Sequence, residues 1–281
     1  MSSSFLLSNL GATIKSIVKL PLQSRRTSIG KHTVSDNGRG LVIMGNGPSL
    51  RGVIDNHREW LSTHDLLAVN FAATVPDYRE LKPRYYFLAD PVFFGPESSH
   101  PNLPALHKGF RDTDWPMLLI VPAVYRKQAL KLVGGNKFIT VATVNAIGVE
   151  GFGWFERFIY GHRLAMPRPR NVLIPALMAG IWLGYENIDI VGADHSWMQS
   201  IWVDGKNRVV SVQPHFYKDD KAEQERVDTT NAGYKLHDII YSFFLAFSSY
   251  HRIAGFAGSR GVKIVNRTEG SYIDAFTREL L

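Results

Sequence analysis

The 281-residue chain contains no cysteine. This absence excludes disulfides, thiolate nucleophiles and metal sites with cysteine ligands, and it fits a reducing compartment such as the cytoplasm. No apolar run reaches the ~18 residues that a helix needs to cross a bilayer, so no membrane-spanning segment is expected. The chain also lacks a zinc-finger pattern, an RNA-recognition signature and a long basic helix, so nucleic acid is not the expected partner.

The overall composition is that of an ordinary globular protein. Hydrophobic residues make up 45% of the chain and charged residues 20%, which argues against bulk disorder. The length is enough for one large α/β domain, or for one domain with a small appendage. The formal net charge of +7 favours anionic partners, such as nucleotide phosphates or an acidic membrane surface. Nothing in the composition decides between a monomer and an oligomer.

Residues 1–39 are interpreted as an amphipathic leader followed by a polar linker from Ser24 to Arg39. Lys15 and Lys19 lie beside the apolar stripe of the leader, and Pro21 is expected to end the helix. A signal peptide carries its positive charge ahead of the apolar run, so export is not expected. Two roles stay open: an interfacial helix on the anionic inner face of the plasma membrane, or an ordinary helix or partly disordered leader attached to the domain. The apolar positions recur at steps of three and four, the period of one helical face, at Phe5, Leu6, Leu10, Ile14, Ile17 and Val18.

From residue 40 to residue 281, short apolar runs alternate with helical stretches. Strands are expected at Leu41–Met44, Leu66–Asn70, Arg84–Leu88, Met117–Val121, Phe138–Val141, Ile188–Val191 and Val262–Val265. Helices are expected at Leu50–Ser62, Val124–Val133, Val172–Leu183 and Tyr234–Ser249. This alternation predicts an α/β fold, a Rossmann-like and mostly parallel sheet with helices on both faces. The Asp204-Gly205 pair between apolar flanks predicts a β-hairpin, within a lid at about residues 197–232.

The strongest local signal is the loop that joins the first strand to a helix, with the sequence Gly-Asn-Gly-Pro-Ser-Leu. In a parallel sheet, ligands bind beyond the carboxyl ends of the strands, where helix N-termini present free N–H groups. The glycines permit a sharp turn, the proline suits a first helical turn, and the serine can cap it or donate to a phosphate oxygen. The loop has neither the Walker A ending nor the GxGxxG pattern, and a tight turn without a ligand is the alternative. The residues expected to approach a phosphate or ribose are Asn46, Gly47, Pro48 and Ser49.

Polar residues also follow the second and third strands. Asn70 closes the second strand, and Asp90 follows the third. Because the carboxyl ends of parallel strands share one edge, both side chains are expected to face the same crevice and to contact a base or ribose. Each residue taken alone also suits a simple strand-ending turn.

The pair Asp194-His195 follows the sixth strand and is the most reactive combination in the chain. A histidine can act as general acid or base near neutral pH, and a carboxylate can fix its tautomer or bind a cation. His215 lies just past the hairpin, in the expected lid, and His237 is a weaker third candidate. The alternatives are a turn-capping aspartate beside a packed histidine, and a loop histidine in solvent. No closely spaced set of metal ligands is present, so no metal site is predicted.

Two arginines precede the helix expected at Val172–Leu183. Arg168 and Arg170 can neutralise a carboxylate or phosphate through their planar guanidinium groups. Asn171 stands where the helix would be capped. A solvated basic loop is the alternative interpretation of this segment.

Several segments resemble, also in their spacing, the bacterial sialyltransferases of glycosyltransferase family 42. They are Met44–Leu50, Asn70, Phe87–Phe94, and Leu183–Tyr185 followed by Ile188–Asp194. That resemblance implies a Rossmann-like sheet with a lid, metal-independent transfer from CMP-sialic acid, and peripheral association with the inner membrane. The Asn-Gly-Pro-Ser loop also resembles a domain shared by flagellin-glycosylation accessory factors and archaeal-type 6-hydroxymethylpterin diphosphokinases. The resemblance covers roughly residues 40–200 and indicates fold better than substrate.

The sialyltransferase pattern implies that the loop side chains and backbone approach the nucleotide phosphate and ribose. Asn70 matches a nucleotide-contacting asparagine of that family. Asp90 stands where the family has another asparagine, which departs from the pattern for cytidine. The loop residues that carry over are Asn46, Gly47 and Ser49.

Further along the chain the match is looser. Arg170-Asn171 falls near an Arg-x-Thr-Ser stretch of the family, offset by one position, with Val172 in place of the serine. Ser196 occupies the place of a tyrosine that supports the leaving phosphate. The family's catalytic histidine lies near the lid, and the resemblance leaves His215 and His237 open for that role.

These patterns predict a glycosyltransferase that moves a sialic-acid-like sugar from a nucleotide-sugar donor to a surface-glycan or lipid-linked acceptor. No cofactor or obligatory metal is expected, and His195 or His215 is expected to deprotonate the acceptor. One alternative is an ATP-dependent pyrophosphokinase acting on a pterin-like alcohol, with Asp90 and Asp194 as Mg²⁺ ligands. Another is a non-catalytic glycosylation accessory protein that binds a nucleotide.

Overall fold

The computed structural model describes residues 3–34, 38–96, 99–211 and 233–281. Its strands are β1 (Leu41–Met44), β2 (Asp65–Val69), β3 (Tyr85–Phe87), β4 (Met117–Pro122), β5 (Ile139–Val144), β6 (Asn187–Val191), β7 (Ile201–Val203), β8 (Val209–Ser211), β9 (Lys263–Asn266) and β10 (Thr277–Arg278). Strands β7 and β8 form a separate antiparallel pair. The other eight form a parallel sheet in the order β10-β9-β6-β1-β2-β3-β4-β5.

The described helices are α1 (Ser3–Gln23), α2 (Leu50–Asn56), α3 (Arg58–Ser62), α4 (Asp77–Leu81), α5 (Leu103–Arg111), α6 (Arg126–Leu132), α7 (Gly153–Gly161), α8 (Leu173–Leu183) and α9 (Leu236–Ser259). None of them is long and apolar enough to cross a membrane. The predicted α/β class, with a parallel sheet and an N-terminal helix, is confirmed.

Alternate residues of β1 pack into opposite layers of the protein. Leu41 and Ile43 belong to the core that contains α8 and part of α9. Val42 and Met44 belong to the core formed with α2 and α5. Because both faces of the sheet are covered, strands β1, β3 and β4 are apolar throughout instead of alternating with polar residues.

Helix α8 is buried around its whole circumference. It lies so close to the sheet that a Cβ on Gly180 would stand 2.8 Å from a methyl carbon of Leu41 and 3.0 Å from one of Ile188. This close packing fixes α8 against β1 and β6. The residues just before α8 are thereby held at the carboxyl edge of the sheet.

The chain order reverses at β1. Strands β2 to β5 extend the sheet on one side, whereas β6, β9 and β10 extend it on the other. The loops that follow β1 and β6 therefore diverge at the carboxyl edge. A crevice at such a switch point is the usual ligand site of open α/β sheets.

Several predicted boundaries differ from the structure. The single helix expected at Leu50–Ser62 is two helices, because His57 leaves the helical region with φ −127° and ψ 30°. Helix α9 continues to Ser259, well past the predicted end. Strand β10 was not expected, because its two residues are polar and exposed and carry no apolar pattern.

The N-terminal segment also departs from expectation. Helix α1 runs through Pro21 to Gln23, so the prediction that Pro21 ends the helix is wrong. A proline in the last turn removes one N–H donor, and the next two residues still follow the helical path. The expected linker is partly packed on the sheet edge: Ile29 is fully buried, and the Ser28 N–H donates to the Thr143 carbonyl at 3.1 Å.

The predicted hairpin is confirmed. Strands β7 and β8 are joined by a turn in which the Asp204 carboxylate accepts the N–H groups of Lys206 and Arg208, each at 2.9 Å. Most of the predicted lid, residues 212–232, lies outside the described residues.

Candidate functional site

A cavity of about 580 Å³ opens at the carboxyl edge of the sheet, at the β1–β6 switch point. Its walls come from the loops after β1, β2, β3 and β6, from the segment before α8, and from the first turns of α9. Most of the predicted site residues lie in these walls: Asn46, Gly47, Pro48, Asn70, Asp90, Arg170, Asn171, Asp194 and His195. Parallel topology brings them together, since every strand before these loops ends at the same edge.

The loop after β1 is held by the loop after β6. Ser49 Oγ donates to Asp194 Oδ2 at 2.8 Å, and the Ser49 N–H reaches Oδ1 at 3.4 Å. A Cβ on Gly47 would overlap the Asp194 carboxylate, and one on Gly45 would overlap the Gly192 carbonyl. The glycines therefore permit a close approach of two protein loops. The chain's own carboxylate occupies the position at the start of α2 where an anion was expected.

Asn46 lies at the floor of the cavity and is 8% exposed. Its amide nitrogen donates to the Val69 carbonyl at 3.4 Å. Its Oδ1 has no hydrogen-bond partner among the described residues. A buried acceptor without a partner costs free energy unless a ligand or water donates to it.

Asn70 and Asp90 line the cavity at the ends of β2 and β3. Asn70 adopts a left-handed conformation with φ 51°, which asparagine tolerates better than most residues. Its carbonyl accepts the Tyr86 hydroxyl at 2.6 Å. The Asp90 carboxylate accepts the Val92 N–H at 2.9 Å and so caps the short 3-10 turn that follows. Both residues thus end a strand and also face the cavity.

Asn171 presents a fixed amide to the cavity. Its Oδ1 accepts the Leu173 N–H at 3.0 Å and the Tyr250 hydroxyl at 2.9 Å. Because Oδ1 accepts both hydrogen bonds, the amide cannot exchange the positions of its oxygen and nitrogen. Its Nδ2 has no acceptor in the described part of the chain, so it is available as a donor to a ligand.

The two predicted arginines differ in their placement. Arg170 lines the cavity, donates to Ser242 Oγ at 3.1 Å, and pairs with no carboxylate of the described residues. Arg168 pairs with Glu150 at 2.9 Å and is not part of the cavity wall. Only Arg170 is therefore placed to meet an anion in the crevice.

His195 is buried in the wall beside α9. Its Nε2 lies 2.6 Å from the Tyr250 hydroxyl. Because that hydroxyl donates its single proton to Asn171, Nε2 must carry the proton of the neutral ring. Burial lowers the pKa of His195 to about 3, so the ring is neutral at physiological pH.

Helix α9 contributes two aromatic residues that the sequence did not single out, Phe243 and Tyr250. Trp197 packs against His195, with ring centroids 4.1 Å apart, and against Phe243 at 5.4 Å. Tyr250 joins His195 to Asn171 from the same helix. Tyr250 is 55 positions from His195 and 79 from Asn171, and an apolar helical stripe carries no sign of such a role.

The remaining histidine candidates do not lie in the described wall. His215 falls within residues 212–232 and so lies outside the described residues. His237 is exposed on the first turn of α9, 3.3 Å from Asp238, and does not line the cavity. No group of three or more His, Asp or Glu side chains suited to a metal occurs within the described ranges.

Comparison with known proteins identifies a solved structure with a similar fold. No protein-family model and no curated protein sequence matches the chain. A solved structure that matches is a MAf glycosyltransferase from Magnetospirillum magneticum AMB-1, with a TM-score of 0.50 and 13% sequence identity. The match covers 99% of this chain and 39% of that protein, so the chain spans about two fifths of its length. At this level of identity, the match shows a shared fold and does not identify a family. Over nearly its whole length, the chain shares the fold of part of a glycosyltransferase.

Proposed function

We propose that the chain is a glycosyltransferase that takes a sialic-acid-like sugar from a nucleotide-sugar donor. The acceptor in this proposal is a surface glycan or a lipid-linked glycan, and the transfer needs no metal. The observation that carries the proposal is the cavity at the switch point of a parallel sheet. The cavity wall combines hydrogen-bond donors with acceptors: Arg170 and Asn171 Nδ2 are donors, and Asn46 Oδ1 and the Asp194 carboxylate are acceptors. The likeness of fold to a glycosyltransferase supports it.

Two hydrogen-bond donors in the cavity wall are Arg170 and the Nδ2 group of Asn171. Neither group has an acidic partner among the described residues. A guanidinium beside a fixed amide donor suits phosphate oxygens, because charge-assisted hydrogen bonds are the stronger kind. We assign the phosphates of the nucleotide-sugar to Arg170 and Asn171. The start of α2 is less suitable for them, since Asp194 already binds Ser49 there.

Asn46 and Asp194 supply hydrogen-bond acceptors in the cavity wall. The free Oδ1 of Asn46 and the carboxylate of Asp194 both accept hydrogen bonds. Ribose and sugar hydroxyls, which can donate, suit these groups, and a phosphate would be repelled by the carboxylate. A nucleotide-sugar offers both phosphate oxygens and hydroxyl groups in one molecule, so it can satisfy both the donors and the acceptors of the cavity wall.

The roles of the two histidines differ in this proposal. A general base works best when its pKa is near the working pH, and the pKa of His195 at about 3 is far below it. His195 therefore orients Tyr250 and Asn171. His215, outside the described residues, stays the histidine that the sequence predicts as the base.

The alternative of an ATP-dependent pyrophosphokinase is supported by two carboxylates in the cavity wall. Asp90 and Asp194 line the same cavity, and an ATP-dependent pyrophosphokinase would use two such carboxylates to hold Mg²⁺. Against this, one oxygen of Asp90 caps a 3-10 turn and the Asp194 carboxylate binds Ser49. A turnover assay with EDTA separates the two reactions, because only the pyrophosphokinase should stop.

The proposal is tested by titrating the purified protein with CMP-sugar, UDP-sugar, GDP-sugar and ATP, followed by a product assay. One nucleotide-sugar should bind at least tenfold more tightly than ATP and release its nucleotide when an acceptor glycan is added. Preferred binding of ATP would contradict the proposal. Binding of a nucleotide-sugar without turnover on a panel of acceptors would point to an accessory protein instead.

A further inference from the structure

Helix α1 packs on the domain through small polar side chains. Thr13 and Ser16 are 6% and 5% exposed. Ser16 Oγ donates to the Glu150 carbonyl at 2.7 Å, and Thr13 Oγ1 accepts the Phe152 N–H at 3.1 Å. Gly151 allows this approach, since a Cβ there would overlap the Thr13 hydroxyl. The orientation of α1 is thus set by specific hydrogen bonds.

The apolar stripe of α1 therefore faces solvent. Amphipathic surface helices normally turn their apolar side to the core. Here the orientation is the reverse, and the exposed surface is larger than scattered apolar residues produce. Five of the predicted stripe residues and two neighbouring leucines, Leu7 and Leu22, are each 46–72% exposed; the five are Leu6, Leu10, Ile14, Ile17 and Val18.

The charged side chains of the segment that carries the stripe are all basic. Residues 1–34 contain no aspartate or glutamate. Their basic residues are Lys15, Lys19, Arg25, Arg26 and Lys31. Lys15, Arg25 and Arg26 are exposed, whereas Lys19 donates to the Gly148 carbonyl at 3.0 Å. An apolar stripe on a segment whose own charged side chains are all basic suits a surface that is apolar inside and anionic at its boundary.

We infer that α1 is a membrane-docking helix that lies in the plane of an anionic lipid bilayer, with the stripe in the boundary between headgroups and acyl chains. The basic side chains would contact the lipid phosphates, and the domain would stay on the aqueous side, attached through Thr13 and Ser16. This inference goes beyond the proposed function and does not depend on it, because α1 is not part of the cavity wall.

The first experiment measures partition of the full chain into vesicles by co-sedimentation. The wild type should bind vesicles of phosphatidylcholine and phosphatidylglycerol, and bind much less to phosphatidylcholine alone. The variant Ile14→Gln/Ile17→Gln should bind at least tenfold more weakly, since it removes apolar area that enters the lipid. Val124→Gln/Leu130→Gln, at sites of similar exposure elsewhere, is the matched control and should bind like the wild type.

A charge variant tests the second half of the inference. Arg25→Gln/Arg26→Gln should lower partition into anionic vesicles by roughly fivefold for each charge removed and leave binding to neutral vesicles unchanged. Raising the salt concentration should weaken the wild type in the same direction.

Insertion of α1 into the bilayer can be measured directly with a dye on a single introduced cysteine, because the chain has no cysteine of its own. Ile14→Cys and Val124→Cys each offer a single site for an environment-sensitive dye. Anionic vesicles should shift the emission to the blue at Ile14 and leave it unchanged at Val124. Far-ultraviolet circular dichroism and thermal melting report whether every variant is folded.

Three results would overturn the inference. The first is a wild type that does not bind anionic vesicles, and the second is a stripe variant that binds no more weakly than the control. The third is light scattering that shows the stripe variant converting a dimer to a monomer while lipid binding persists, which would make a second copy the occupant. None of these results bears on the glycosyltransferase proposal, because no nucleotide or acceptor enters these assays.

Discussion

The hydroxyl of Tyr250 donates to Asn171 Oδ1 at 2.9 Å, across 79 residues of sequence. The contact determines which end of the Asn171 amide faces the cavity. It also determines which nitrogen of His195 carries the proton, because the same hydroxyl accepts from Nε2. One tyrosine on α9 thus sets the hydrogen-bonding character of two residues in the crevice.

Replacing Tyr250 by phenylalanine should weaken substrate binding and also lower stability. The change leaves a buried imidazole N–H without an acceptor, which costs about 1–3 kcal/mol. Asn171 Oδ1 then keeps only the Leu173 N–H, so its amide is held less firmly, and the KM for the nucleotide-sugar should rise several-fold with a smaller change in kcat. Urea unfolding and steady-state kinetics measure the two effects.

The matched control is Tyr160→Phe, which removes a buried hydroxyl bonded to the Val149 carbonyl at 2.6 Å, outside the cavity wall. It should cost similar stability and leave KM unchanged. Equal KM changes in the two variants would contradict the positioning role of Tyr250.

The two arginines provide a second comparison. Arg170→Gln should weaken binding of the nucleotide-sugar by about 10- to 100-fold, because a hydrogen bond to a charged group contributes ~1.5–3 kcal/mol. Arg168→Gln removes a partner of Glu150 and should leave ligand affinity nearly unchanged. Isothermal titration calorimetry measures both. A larger loss of ligand affinity with Arg168→Gln than with Arg170→Gln would contradict the assignment of the anion site to Arg170.

The glycines of the first loop and helix should respond in opposite directions to alanine. Gly47→Ala should destabilise the protein by about 1–3 kcal/mol, because its methyl group would overlap the Asp194 carboxylate. Gly52→Ala, within α2 and with open space around it, should stabilise by up to ~1 kcal/mol through helix propensity. Thermal unfolding of the two variants is the measurement, and a neutral Gly47→Ala would show that the loop is held more loosely than the structure indicates.

His195 should make stability depend on pH below neutrality. Its pKa is about 3 when folded and near 6.5 in the unfolded chain. In this window the unfolded state binds more protons, so stability rises with pH and falls as pH decreases from about 6.5 towards 3. From pH 7 to pH 5 the loss should be about 2 kcal/mol. Urea unfolding at the two pH values measures it, and His195→Gln should remove most of this slope. An unchanged slope in that variant would mean that other groups cause it.

Much of the crevice was predictable from the sequence. The runs that became β1, β2, β3 and β6 are apolar and β-rich, and each ends in polar residues. Parallel strands bring their carboxyl ends to one edge, so Asn46, Asn70, Asp90 and Asp194 meet there whatever the details of the packing. The hairpin at Asp204-Gly205 was predictable for a similar local reason, the preference of these residues for tight turns.

Contacts between distant segments were not predictable. Asp194 is 145 residues from Ser49, and nothing in either segment indicates that a carboxylate would take the expected place of an anion. Arg168 and Arg170 are equivalent in the sequence. Only the packing of the segment before α8 brings Glu150 to one and the cavity to the other.

The sequence by itself determined the α/β class, the strand positions and the existence of an apolar stripe on the first helix, because these follow from local periodicity. Tertiary structure decided that the stripe faces outward, that His195 is neutral, and that Tyr250 orients Asn171. Periodicity shows which side chains share a face, whereas burial and hydrogen bonding depend on what packs against that face from elsewhere in the chain.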